Sequence, residues 1–272
     1  MIPALGAFFA LLYLLGSRRL VRPRHRLRRG VAFAASVALV ELVLNPPLDD
    51  WADRSLAAHM FQHVVLMSVV PPLVVLAAPW VPIWRGLPLR LRRPLAHGIV
   101  GLPGPVRRAL RGCATPVPAF VLLTADLGLW HVPWLYDLTL RSQAAHDLEH
   151  ASFLVFGILF WLPVLDSPPL HRQLDELRGA VYVTLGAAAG WVLGVVLALA
   201  SGPLYPAYAA LPRRLGGISA LADQQAAAGI MIGVGAIPPS IAVFVLLYRW
   251  LDDGTAASTR LRGEPLGFLD GR

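Results

Sequence analysis

Long apolar runs recur along this chain and repeatedly approach the roughly 20 residues that cross a bilayer. They fall at about residues 2–16, 30–45, 59–79, 114–133, 147–165, 179–201 and 224–250. The pattern predicts an all-α fold: a polytopic transmembrane helix bundle of about seven spans filling residues 1–251, with residues 252–272 as a short disordered cytoplasmic tail. The first run is short for a span. Its start lacks a basic region, and its end runs into Ser17-Arg18-Arg19 without a small-residue cleavage site, so it reads as a helix rather than a signal peptide. Pro71-Pro72 and Pro238-Pro239 fall inside two of the runs and are expected to kink them.

Composition agrees with a membrane chain. Of 272 residues, 56% are hydrophobic and 15% are charged, and the mean hydropathy is +0.60, beyond the range of soluble domains. All 24 basic residues are arginine. The net charge of +8 does not point to nucleic acid, because the arginines concentrate in short segments between the runs, where topology places them. Seven lie between Arg18 and Arg29 and seven between Arg85 and Arg111; with Arg172, Arg178, Arg249, Arg260, Arg262 and Arg272 these make 20 on one side. Only Arg54, Arg141, Arg213 and Arg214 fall on the other. Positively charged connections stay cytoplasmic, so the N-terminus is expected outside and the C-terminus inside. The stretch Trp84 to Gly112, rich in Arg, Pro and Gly, reads as a cytoplasmic loop lying on the anionic leaflet.

The polar residues inside this apolar background gather at the outer ends of the runs. His59-Met60-Phe61-Gln62-His63 opens the third, and His146-Asp147-Leu148-Glu149-His150 opens the fifth. Each histidine pair is spaced i, i+4, so both imidazoles leave one helix face and can share an ion. A helix N-terminus disfavours imidazolium and favours the neutral ring that a metal requires. Met67 continues the stripe one turn below His63, where a thioether would favour Cu(I), although methionine at this spacing also serves packing. Asp126, His131, Asp223 and Glu41 sit at the same level, as ligands, as carboxylates that orient histidines, or as a network tying helix ends together. His131, between Trp130 and Pro133-Trp134, also fits an interfacial aromatic belt. The single cysteine, Cys113, excludes an intrachain disulfide or a CxxC metal motif. His25, His97 and His171 lie apart from the cluster and read as solvated. The sequence therefore points to a transition-metal site, copper before zinc.

These residues resemble a known family. His59-Met60-Phe61-Gln62-His63 followed by Pro71-Pro72 is similar to the HMxQH...PP segment of the CtaG-type cytochrome c oxidase assembly factors, multi-spanning bacterial membrane proteins. Trp130-His131-Val132-Pro133, Tyr136-Asp137, the HxxxH of His146 and His150, Phe160-Trp161, Leu204-Tyr205-Pro206 and Asp223-Gln224-Gln225-Ala226 resemble further blocks in the same order, over residues 30 to 250. The resemblance implies a place in the bacterial plasma (inner) membrane, cytochrome c oxidase subunits as partners, and copper binding and delivery at the outer face. It implies His59, His63, His146 and His150 as functional positions, with Asp126, His131 and Asp223 as contributors.

Three other readings compete. His146 to His150 fits HxxEH, the inverted motif of zinc metalloproteases, in which Glu149 would be the general base; Gln62 occupies the matching slot of the other pair. A b-type cytochrome stacking haem across the bilayer needs histidines more than about ten residues apart on a helix. A proton or ion transporter predicts carboxylates nearer mid-membrane than Glu41 and Asp126. Binding is preferred to catalysis.

Overall fold

The computed structural model describes residues 2–18, 23–212 and 214–263. Every regular element among them is helical. In order these are α1 (Ile2–Ser17), α2 (Pro23–Val43), α3 (Leu48–Ala52), α4 (Leu56–Val64), a π-helical turn (Val65–Val69), α5 (Val70–Ala77), α6 (Trp80–Gly86), α7 (Leu89–Gly101), α8 (Gly104–Cys113) and α9 (Pro116–Trp130). Then come α10 (Pro133–Thr139), α11 (Gln143–Trp161), α12 (Glu176–Leu199), α13 (Pro206–Ala209), α14 (Ala220–Gly233) and α15 (Ile237–Gly263).

Local chemistry sets the helix starts. Ser55, Ser142 and Ser219 cap α4, α11 and α14 by accepting from the N–H three residues on, and Asp175 does the same for α12. Pro116, Pro133 and Pro206 open α9, α10 and α13, where a missing N–H costs nothing. The expected kink at Pro71-Pro72 takes the form of the π-helical turn, which re-registers the hydrogen bonds before prolines that cannot donate. Pro238-Pro239 similarly follows a 3₁₀ turn, Val234–Ala236, at the junction of α14 and α15.

Helices occupy all seven expected segments. Among the described residues, three are long and apolar enough to cross a membrane: Leu56–Ala77, Glu176–Leu199 and Ala220–Asp253. The bent pair of α8 and α9, at 73°, would make a fourth. The outward faces are apolar, with Val192, Leu199 and Phe244 each more than 60% exposed, as a lipid-facing surface requires. α15 runs on to Gly263, through the first part of the expected tail; residues 264–272 lie outside the described residues.

One expectation is corrected. Trp84 to Gly112 is helical, not a loop: it holds the end of α6, then α7 and α8. In α8, Val106, Ala109, Leu110 and Cys113 share one face and Arg107, Arg108 and Arg111 the other. Arginine and leucine are good helix formers, so the arginine-rich stretch folds as an amphipathic helix.

The helix ends sort into two layers. At one end of the bundle lie the starts of α4, α11 and α14 and the finishes of α9 and α12. There, Asp223 of α14 reaches the start of α4, and Gln224 Nε2 donates to the Leu197 carbonyl of α12 at 3.0 Å. α3, α10 and α13 roof this end, with the roof's Tyr136 and Tyr208 and the adjoining Tyr205 buried beside Met60, Leu197 and Met231. At the other end, Ser167 Oγ donates to the Val75 carbonyl at 2.6 Å and accepts from Trp80 Nε1 at 2.8 Å. Gln173 Nε2 there donates to the Ala114 carbonyl. α6 folds back after Ala78, which ends α5 at φ 47°, and packs on α1 so closely that a Cβ at Gly16 would strike the Pro82 carbonyl and one at Gly86 the Leu12 carbonyl.

Candidate metal centre

The site is assembled from the first turns of α4 and α11 beneath the helical roof. Asp223 anchors α4: one carboxylate oxygen accepts from Ser55 Oγ at 2.8 Å and Ala57 N at 3.1 Å, the other from Leu56 N at 2.8 Å. An anion at a helix N-terminus satisfies otherwise orphaned N–H groups and complements the dipole. The i, i+4 spacing then turns His59 and His63 to one face, with ring centroids 4.3 Å apart. Gln62 points elsewhere, its amide donating to the Val43 carbonyl and, at 3.3 Å, to Asp49.

α11 brings His146 and His150, 4.2 Å apart between centroids, against this face. His59 lies 5.1 Å from His146 and 5.9 Å from His150, and His63 lies 5.2 Å from His150. The close approach depends on Gly157, two turns along α11, where a Cβ would stand 2.7 Å from the Met67 carbonyl and 2.6 Å from Pro71 Cγ. Glu149, one turn after His146, enters the same space with no exposure. Its Oε2 is 3.6 Å from His63 Nε2 and 3.9 Å from His59 Nε2.

The donor atoms of His59, His146, Glu149 and His150 all lie within 4.8 Å of one another. His59, His146 and His150 each leave Nε2 buried without a hydrogen-bond partner, and both Glu149 oxygens are likewise unpartnered. Buried polar atoms are nearly always satisfied, so a nest of bare acceptors facing one point fits a cation. Metal–ligand bonds of about 2.0–2.2 Å to imidazole and carboxylate are reached by small side-chain adjustments.

Tyrosines of the roof set the His59 tautomer. Tyr208 Oη donates to the Ala52 carbonyl at 2.6 Å. Its only proton is therefore committed, and the 2.8 Å contact with His59 Nδ1 requires His59 Nδ1–H to donate. Nε2 is left bare toward Glu149, as in a metal-ligating histidine whose second nitrogen is held by a neighbour. Tyr136 Oη approaches the same Nδ1 at 3.0 Å. Burial, then the neighbouring Tyr208, holds the Tyr136 phenol well above its ordinary value, so this side chain stays neutral.

The remaining expected residues are placed as follows. His131, at the end of α9, is buried with its ring 6.4 Å from that of His63. Asp126 accepts from Trp130 Nε1 at 2.9 Å and Ser152 Oγ at 3.1 Å, tying α9 to α11 outside the four-donor group. Asp223 is engaged at the start of α4 as described. Met67 lines a cavity of about 60 Å³ below the histidines, with Ser68, Thr124 and Met231. Glu41 interacts with Asn45 of its own segment. His97 and His171 are exposed, and the side chain of His25 lies outside the described residues. Sequence reasoning did not count Glu149 as a donor, although its spacing from His146, i+3, puts it on the histidine face.

The profile of the cytochrome c oxidase caa3 assembly factor family matches residues 11–253. Uncharacterized proteins of Mycobacterium bovis and Mycobacterium tuberculosis are each 23% identical over 99% of this chain and 42% of their own length. One of Mycobacterium leprae is 24% identical over 55% of this chain and 23% of its own. The chain thus spans less than half the length of these relatives. No solved structure matches. With the family profile covering nearly all of its length, the chain belongs to the cytochrome c oxidase caa3 assembly factor family.

Proposed function

We propose that this protein binds a copper ion through His59, His146, Glu149 and His150 at the outer face of the bacterial plasma membrane and hands it to a cytochrome c oxidase subunit during assembly. The observation that carries the reading is the buried group of four donors within 4.8 Å, with bare acceptors directed at one another, in a chain of an oxidase assembly family. Imidazole and carboxylate suit copper, zinc, iron or nickel, and among divalent first-row metals copper binds such donors most tightly. As copper is cargo here, the site's task is to exclude water, to present bare nitrogens, and to release the ion to a competing ligand set.

The proposal includes seven spans, with the N-terminus outside and the C-terminus cytoplasmic. Two features support it. Helix ends alternate between the two layers as a seven-span chain requires, and the metal-site end carries Arg54, Arg141 and Arg214, whereas Arg85 to Arg111, Arg172 and Arg178 belong to the other end or its flanking helices.

Protein purified in detergent and loaded with Cu(II) is expected to retain copper after desalting, measured by mass spectrometry, and His146→Ala/His150→Ala is expected to lose one equivalent per chain. Folded wild type without copper would overturn the proposal. A second reading has one observation in its favour: Glu149 sits between the histidines of HxxEH with both oxygens unpartnered, as the general base of a zinc hydrolase would. Peptide cleavage by the zinc-loaded protein, abolished in Glu149→Gln, would establish that reading in place of copper delivery.

A further inference from the structure

The four-donor group leaves two histidines unused, and both are buried against Glu149 or against each other. His63 is 2% exposed, neither of its ring nitrogens has a hydrogen-bond partner, and its Nε2 is nearer to Glu149 Oε2, at 3.6 Å, than that of His59 is, at 3.9 Å. His131 is 7% exposed. Its Nδ1–H donates to the Leu127 carbonyl one turn back, at 2.8 Å, which fixes the tautomer and leaves Nε2 bare, buried and unpartnered. A neutral imidazole with one nitrogen tied to a carbonyl and the other buried and bare is the usual arrangement of a metal ligand. The rings of His63 and His131 stand 6.4 Å apart between centroids, at 76°.

We infer that the centre holds two ions, the second bound by His63 and His131 and sharing the Glu149 carboxylate with the first. This rests on the copper-binding reading above and deepens it. Three arguments converge on it. Five histidine rings and one carboxylate converge here, two rings more than the compact group of His59, His146, Glu149 and His150 uses. Glu149 Oε2 faces both His63 Nε2, at 3.6 Å, and His59 Nε2, at 3.9 Å, and a buried carboxylate placed between two sets of imidazoles can serve two cations, as in sites where paired ions sit about 3.5–4 Å apart. Finally, His63 packs against Phe153, at 4.9 Å between centroids, with neither ring nitrogen hydrogen-bonded, so among the described residues its polar atoms have no other use. With two histidines and a shared carboxylate, the second ion keeps a coordination position free for an incoming ligand. The assembly factor would thereby carry a pair of ions rather than one.

The test is copper stoichiometry and spin count on the intact detergent-purified protein. Loaded with Cu(II) and desalted, wild type is expected to hold two copper ions per chain, and His63→Gln/His131→Gln one. The electron paramagnetic resonance of the wild type should account for well under half of its copper, because two ions sharing a carboxylate are magnetically coupled, and the His63→Gln/His131→Gln variant should recover a full signal from its single ion. The spin count needs only the wild type, so a variant that folds poorly does not decide the matter. One copper per chain in wild type, unchanged in His63→Gln/His131→Gln and lost in His146→Ala/His150→Ala, would overturn the second ion and leave the copper-binding reading standing. No copper in folded wild type would overturn both, and two coppers with a full, uncoupled signal would overturn the shared carboxylate.

Discussion

The hydroxyl of Tyr208 joins the roof of the site to its histidine layer, because one oxygen donates to Ala52 and accepts from His59. Tyr208→Phe removes the acceptor without changing the packing volume. His59 Nδ1–H is then free to move its proton to Nε2, the nitrogen the ion needs. Loss of a group that orients a ligating histidine typically weakens metal affinity about 10–100-fold, and that range is expected in a chelator-competition titration, with copper stoichiometry at saturation unchanged. Tyr136→Phe, which leaves Tyr208 to accept, is expected to have the smaller effect. Asp223 behaves differently. Asp223→Ala strips acceptors from Ser55 Oγ, Leu56 N and Ala57 N at once, at a cost of about 2 kcal/mol. It should lower the thermal unfolding midpoint while saturating copper remains bound. The histidine pairs were readable in the sequence because i, i+4 spacing fixes a shared face whatever the tertiary structure. The role of Asp223 was not, because its partners stand more than 160 positions away and a carboxylate at the level of a metal site looks the same in sequence whether it ligates or caps. Glu149 was half readable: its face follows from its spacing, but its place among the donors depends on how α11 meets α4.

Among the elements, the meeting of α11 with the π-helical turn decides whether the two histidine pairs can share an ion. Gly157 is the contact point, and a methyl there has no room between Pro71 and the Met67 carbonyl. Gly157→Ala is expected to push α11 outward by part of an ångström, to cost about 1–3 kcal/mol as overpacking does, and to weaken copper binding, since donors set by two helices lose their spacing together. Gly190→Ala, on α12 where a Cβ meets nothing within 4 Å, should leave the copper affinity unchanged and raise the unfolding midpoint slightly, because alanine is favoured over glycine in a helix interior by about 0.5–1 kcal/mol. Element positions were legible from apolar runs of near-span length. The character of α7 and α8 was not: density of arginine, proline and glycine reads as a loop, yet the helical face appears only when Val106, Leu110 and Cys113 are set against Arg107, Arg108 and Arg111. The π-helical turn was likewise visible only as a pair of prolines.

For the whole molecule, the decisive question is which side of the membrane the site faces, because copper delivery at the outer face fails if the histidine end opens to the cytoplasm. Charge argues for the outside: 20 of the 24 arginines fall on the side assigned to the cytoplasm, and connections rich in arginine resist translocation. The layering of helix ends makes the argument testable with a pair of positions. Ser201, exposed after α12, belongs to the histidine end, and His171, exposed between α11 and α12, belongs to the other. With Cys113, the only native cysteine, changed to serine, Ser201→Cys is expected to react with a membrane-impermeant maleimide added to intact spheroplasts, and His171→Cys only after the membrane is opened. Copper stoichiometry measured on the same two variants ties the topology to the folded site. The reverse labelling pattern would turn the site inward. It would leave its donors intact and make the protein a binder of cytoplasmic metal, for which the four-donor centre would still stand but delivery to the oxidase at the outer face would not.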